Sequence, residues 1–268
     1  MVELFGLPGS GKTFLTKELT QIIRKGQHSV LDFRRATSPQ FYLQDRIRRL
    51  SATWIQEQVA SRLWIFANPF AAFRLRCELR RSQQPDRDAH RHLFRSWIKT
   101  LVRLKRAIRS YDVVLMDQGF LQFIWTVGYE SQSPNWLHIR RNLLRQMPAP
   151  HAVILVKASQ KTAARRLQER PGVSSRVERD GPASVAVMQH AIKLTDELRH
   201  DLEMARVDWS QTAFYPINND ADNTPTTELA TIAEHLLAHR RQGPAYAQSQ
   251  SALDVFASAP RPAQSAKP

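Results

Sequence analysis

Five short apolar runs punctuate the chain: VELF (2–5), HSVLDF (28–33), YDVVLMD (111–117), HAVILVKA (151–158) and TAFYPIN (212–218). Each reads as a strand, and YDVVLMD and HAVILVKA carry the continuous apolar core expected of buried parallel strands. Between them the period changes. Residues 13–26 place Leu15, Leu19, Ile22 and Ile23 at helical spacing and end at Gly26, a residue suited to a helix C-terminus. Residues 41–109 read as helical throughout, broken at Pro69 and at the QQPD turn (83–86). Helices follow at 120–127, from Ser133-Pro134 to about Met147, at 160–170, at 183–205, and from Thr224-Pro225 to near Arg240. The stretch PGVSSRVERDGP (171–182) reads as a loop, and the Ala-, Ser-, Pro- and Gln-rich 243–268 as a disordered tail.

Strands alternating with helices predict one α/β domain over 1–242, built on a mostly parallel sheet of about five strands. The segment 41–109 then forms a helical insertion between strands 2 and 3. In such sheets ligands gather beyond the carboxyl ends of the strands. Asp32, Asp117 and the glycine-rich loop 6–13 all fall on that edge.

Composition narrows the class. The single cysteine, Cys77, excludes an internal disulfide framework and fits a reducing cytosol, and in a helical run it reads as packing. The longest apolar stretch, 63–73, is too short to span a bilayer and contains Pro69, so the expectation is a cytoplasmic protein without a membrane. The net charge of +15 suits an anionic partner, although arginines on solvated helix faces give the same total. His90 and His92 have no second pair of ligands at metal spacing, which argues against zinc.

The loop carries the chemistry. Gly6, Leu7, Pro8, Gly9, Ser10, Gly11, Lys12 and Thr13 match G-x-x-x-x-G-K-[ST], directly between a strand and a helix. Glycines at that spacing let successive backbone N–H groups turn inward around phosphate oxygens, at a helix N-terminus that adds positive potential. Lys12 then reaches the terminal phosphates of ATP and the Thr13 hydroxyl ligates Mg²⁺. Asp117 closes the third strand, the place for a carboxylate that holds Mg²⁺; alternatively it caps the following helix. Asp32 either orients an acceptor hydroxyl or caps a turn, and Arg34 and Arg35 beside it either grip an anionic acceptor or face solvent.

GLPGSGKT, LDF, LMDQG and RLQERPGVSSRVE together resemble the nucleoside and nucleotide kinase group of phosphate-loop (P-loop) proteins, with thymidylate kinase as the pattern matched. The resemblance spans about 1–35, 111–120 and 150–240. It implies a P-loop NTPase three-layer sandwich and transfer of the γ-phosphoryl group of MgATP to a small, anionic acceptor. It further implies that Arg166 packs on the adenine beside the loop Asn218 to Asp220, with Asn219 and Asp220 on the nucleotide. Arg170 and Arg176 would close over the phosphates as part of a mobile lid, 171–182. Gln118 stands where thymidylate kinases carry an acceptor-gripping arginine.

The insertion matches no family motif. RIRRL (46–50), FRLRCELRR (73–81) and LVRLKRAIR (101–109) set arginines beside aromatics and leucines. Three readings fit: an apolar stripe packed on the sheet with arginines in water, a grip on a small anionic acceptor, or a nucleic-acid or membrane surface. The resulting expectation is a small-molecule kinase. A polynucleotide end-kinase and a regulatory, non-kinase ATP-binding protein are the alternatives.

Overall fold

A computed structural model describes residues 1–33, 52–85, 87–170, 175–204, 209, 211–220 and 225–241. Five strands form one all-parallel sheet: β1 (Val2–Gly6), β2 (Val30–Asp32), β3 (Val113–Met116), β4 (Ala152–Lys157) and β5 (Ala213–Asn218), in the order β2-β3-β1-β4-β5. The predicted strands are all present, with β1 central. Register runs Val2↔Ala152 to Gly6↔Val156 on one side of β1 and Glu3↔Met116 on the other.

Because successive strand side chains alternate between faces, the sheet supports two cores. Val2, Leu4, Leu115, Ile154 and Ile217 point to the face covered by α1 (Lys12–Lys25) and the last helix, Thr226–Arg241, through Leu15, Leu19, Leu229 and Leu236. Phe5, Val114, Met116, Val153 and Leu155 point to the opposite, larger core. Helices therefore flank both faces of the sheet.

Among the described residues, the insertion between β2 and β3 forms three helices: α2 (Ala52–Ala67), α3 (Pro69–Arg81) and α4 (Arg87–Ser110). Pro69 sits in the first turn of α3, where its missing N–H costs no helical bond, and Asn68 is the N-cap. Helix α4 follows the expected packing: Leu93, Phe94, Trp97, Ile98, Leu101 and Leu104 enter the larger core. Trp97 meets the edges of Phe120 and Phe123 at 4.9 and 5.0 Å between ring centroids. Helix α2 does not follow it. Ile55, Val59, Leu63 and Phe66 recur at helical spacing yet face outward, and Phe70 and Phe73 of α3 join them.

Beyond β3 come α5 (Phe120–Tyr129) and α6 (Trp136–Gln146), then α7 (Gln160–Gln168) after β4. The expectation of a loop over 171–182 needs correcting: Arg176–Asp180 is a short helix, α8. The Ser175 hydroxyl accepts the Glu178 N–H at 3.2 Å, and the Glu178 carboxylate accepts the Ser175 N–H at 2.6 Å. This reciprocal capping box nucleates the turn from the S-R-V-E sequence. Residues 171–174 lie outside the described residues, as do Arg34, Arg35, the stretch 41–51 and the tail 243–268. Helix α9 (Val185–Met204) is tied to α6 by the buried Arg140 guanidinium, which pairs with Asp201 at 2.6 Å and with Glu197. The Thr226–Arg241 helix, α10, is the last one among the described residues. Among the described residues no helix is long and apolar enough to cross a membrane.

Candidate functional site

The connection from β3 to β4 crosses over β1, so the loops after β1 and β3 flank the point where strand order reverses. The loop after β1 is built on close approach. A Cβ at Gly6 would lie 2.2 Å from the Val156 carbonyl oxygen, one at Gly9 2.4 Å from that of Ala163, and one at Gly11 2.1 Å from Asn219 Nδ2. Gly9 and Gly11 also hold φ of +85° and +91°, which side-chain-bearing residues rarely adopt. Three glycines are thus demanded by β4, α7 and the loop after β5.

Within this loop Ser10 N–H donates to Leu7 O at 3.0 Å and closes a tight turn. Leu7 and Pro8 are buried, and the Ser10 hydroxyl is buried without a hydrogen-bond partner. Gly11 is the N-cap of α1, with no side chain to satisfy the first amides and no acidic residue in the first turn. Lys12 opens the helix; its Nζ donates to Gly6 O at 2.7 Å and Leu7 O at 3.0 Å, so its charge is held over the loop.

The neighbouring residue connects the two sides of the crevice. Thr13 Oγ1 donates to Asp117 Oδ2 at 2.8 Å, across 104 residues of sequence. Asp117 is 1% exposed. The N-cap of α5 is Gly119, so Asp117 is not the cap of that helix. The loop holding Asp117 is fixed from below by a residue sequence reasoning passed over, Glu3. Its carboxylate lies under Gly119, where a Cβ would meet Oε1 at 2.5 Å, and it accepts the Leu121 N–H at the start of α5. Burial pushes the Glu3 carboxyl up to about 8, against the opposing pull of the Leu121 and Gln122 amides. A lone acid inside the apolar run VELF was the signal for it.

Two further predicted residues, Asn219 and Arg166, converge on the loop, and a third, Asp220, lies next to Asn219. Asn219 Nδ2 donates to Ser10 O at 2.7 Å, and Arg166 reaches the same carbonyl at 3.4 Å and Asn219 O at 2.9 Å. Asp220 accepts the Ser159 N–H at 2.5 Å, a bond that holds its carboxyl below the usual range and ties the loop after β5 to the N-cap of α7.

No protein-family model matches the chain, and no curated protein matches it in sequence.

The remaining predicted residues are placed less directly. Asp32 is buried and in register with Leu115, two residues short of Asp117 along β3. Arg170 pairs with Glu178 at 3.4 Å, and Arg176 with Glu130 at 2.5 Å. Glu130, just past α5, also pairs with Arg179 at 3.2 Å; burial opposes its ionisation, but the two guanidiniums hold its carboxyl below the ordinary value. Helix α8 is therefore fastened to the carboxyl end of α5, where a cleft of about 630 Å³ opens between Tyr129, Glu130, Arg176 and Arg179. No local sequence pattern pairs Glu130 with Arg176. His90 and Cys77 stay in the insertion, and among the described residues no group of three or more His, Cys, Asp or Glu could hold a metal ion.

Proposed function

We propose that this chain is a P-loop phosphotransferase of the nucleoside or nucleotide kinase type, using MgATP and a small anionic acceptor, in the cytoplasm. The observation that carries the reading is the Thr13–Asp117 hydrogen bond, which joins the head of α1 to the end of β3 beside a glycine-constrained turn. The strand order β2-β3-β1-β4-β5 and helices on both faces support the P-loop three-layer architecture.

The residues present fit the implied ligands. A hydroxyl and a carboxylate form a hard-oxygen pair suited to Mg²⁺, which retains waters and phosphate oxygens rather than filling an all-protein cage. When bound there, Mg²⁺ supplies charge neutralisation for the transferring phosphoryl group. Amides of the 6–13 loop bind the phosphate oxygens, and Lys12 exchanges its two carbonyl partners for them. Arg166 and Asn219 border the nucleotide while bracing Ser10. Arg170 and Arg176, released from Glu178 and Glu130, bring positive charge over the transfer path and exclude water, so that the acceptor takes the phosphoryl group. Asp32 orients the acceptor hydroxyl.

Lys12→Ala tests the core of this scheme. Calorimetry should register no MgATP binding with the circular dichroism spectrum unchanged; unaltered affinity would remove it. Labelled ATP incubated with the protein and a metabolite extract should then reveal the acceptor as the species that gains label.

A further inference from the structure

The α2–α3 arm exposes a surface that the phosphotransfer reading leaves unused. Ile55, Val59, Leu63 and Phe66 form an outward stripe at spacings of four, four and three residues, one face of a helix. Phe70 and Phe73 extend it past the Asn68-Pro69 corner. Phe66 and Phe70, either side of that corner, are 81% and 82% exposed, whereas rings of that size are ordinarily buried. Contiguous apolar area of this kind marks an interaction surface.

The charge around it selects the partner. The two helices carry five arginines and two glutamates. Both acids are already paired, Glu57 with Arg103 and Glu78 with Arg81. Arg62 lies beside the stripe, and Arg74 and Arg80 share the outer face of α3 with Phe70 and Phe73. The surface thus presents an apolar ridge within a positive field. A second copy docked on it would oppose the same arginines across a two-fold axis, in a chain of net charge +15. Nucleic acid would leave Ile55, Val59 and Leu63 without bases to stack, because aliphatic side chains offer no ring. A bilayer surface rich in anionic headgroups meets both needs: phenylalanines enter the acyl boundary while arginines remain with the lipid phosphates.

We infer that the α2–α3 face docks peripherally on anionic lipid membranes, with Phe66 and Phe70 as the inserted side chains. This stands independently of the phosphotransferase proposal, and no helix crosses the bilayer in it.

Flotation of the full chain with phosphatidylcholine vesicles, with and without phosphatidylglycerol, tests the inference. Binding is expected only with phosphatidylglycerol. The pair Phe66→Ser and Phe70→Ser should weaken it at least about tenfold while leaving the circular dichroism spectrum unchanged. Arg74→Gln with Arg80→Gln should weaken it less and reduce its salt sensitivity. Four results would each overturn the inference. One is anionic-vesicle binding indifferent to the phenylalanine pair. A second is no vesicle binding together with a dimer that the pair dissociates. A third is a clear fall in melting temperature for the pair without vesicles, showing that the chain itself covers the face. The last is protection of this face from hydrogen exchange by single-stranded oligonucleotide but not by vesicles.

Discussion

The loop 6–13 and the α2–α3 arm are both rich in sequence signal, and they use it in opposite ways. In the loop each constrained position answers to a partner far along the chain: Gly6 to β4, Gly9 to α7, Gly11 to Asn219. In the arm, the most conspicuous residues face outward, and Phe66 and Phe70 are 81% and 82% exposed. A residue that is expensive to change in the first region holds the fold together. In the second it can be replaced at little cost to the fold, and its importance lies with a partner.

Stability measurements can break this contrast, and the buried arm of the insertion sets the upper bound. Trp97→Ala removes a ring seated between Phe120 and Phe123, so urea unfolding should show a loss of about 3–5 kcal/mol. A loss under about 1 kcal/mol would mean that α4 is not a core helix. Gly11→Ala places a Cβ against Asn219 at a φ of +91°. A loss of about 2 kcal/mol is expected, with MgATP binding abolished in calorimetry. A variant as stable as the parent would refute the close approach.

Glu3 sharpens the comparison through pH. Its carboxyl is raised from 4.5 to about 8 in the folded protein, so the folded state holds a proton that the unfolded chain releases above pH 4.5. Stability from this group is therefore complete below that value and is lost progressively as pH rises towards 8. Glu3→Gln keeps an oxygen for the Leu121 N–H and removes the titration. Across that window its unfolding free energy should decline less than the parent's, by roughly 1–3 kcal/mol. Parallel curves would mean that Glu3 is not buried as described. The smallest effect belongs to Phe66→Ser, whose unfolding free energy should stay within about 0.5 kcal/mol of the parent.

Much of this was readable in the residues. Short apolar runs located all five strands, most plainly β3 and β4, because a strand covered on both faces has nowhere to place polar side chains. The loop was legible since its glycines and lysine are adjacent in sequence, and Asp117 since it terminates such a run. The resemblance to nucleotide kinases singled out Arg166 and Asn219 as nucleotide-binding residues; the structure has both against the Ser10 carbonyl. Strand order was not legible, because parallel crossovers leave no local trace of which strands pair. The Glu130–Arg176 contact was hidden for the same reason. S-R-V-E contained a capping box, but the loop-like composition around it outweighed that local signal. Periodicity over α2 identified an apolar face without saying what it faces: the same spacing describes a buried stripe and an exposed one.

The side chain of Asn219 props a carbonyl of a turn encoded more than two hundred residues earlier. A fragment ending before that asparagine would retain every glycine of the signature and still lack its keystone. Truncation or proteolysis upstream of it should therefore yield fragments that carry the motif without its brace.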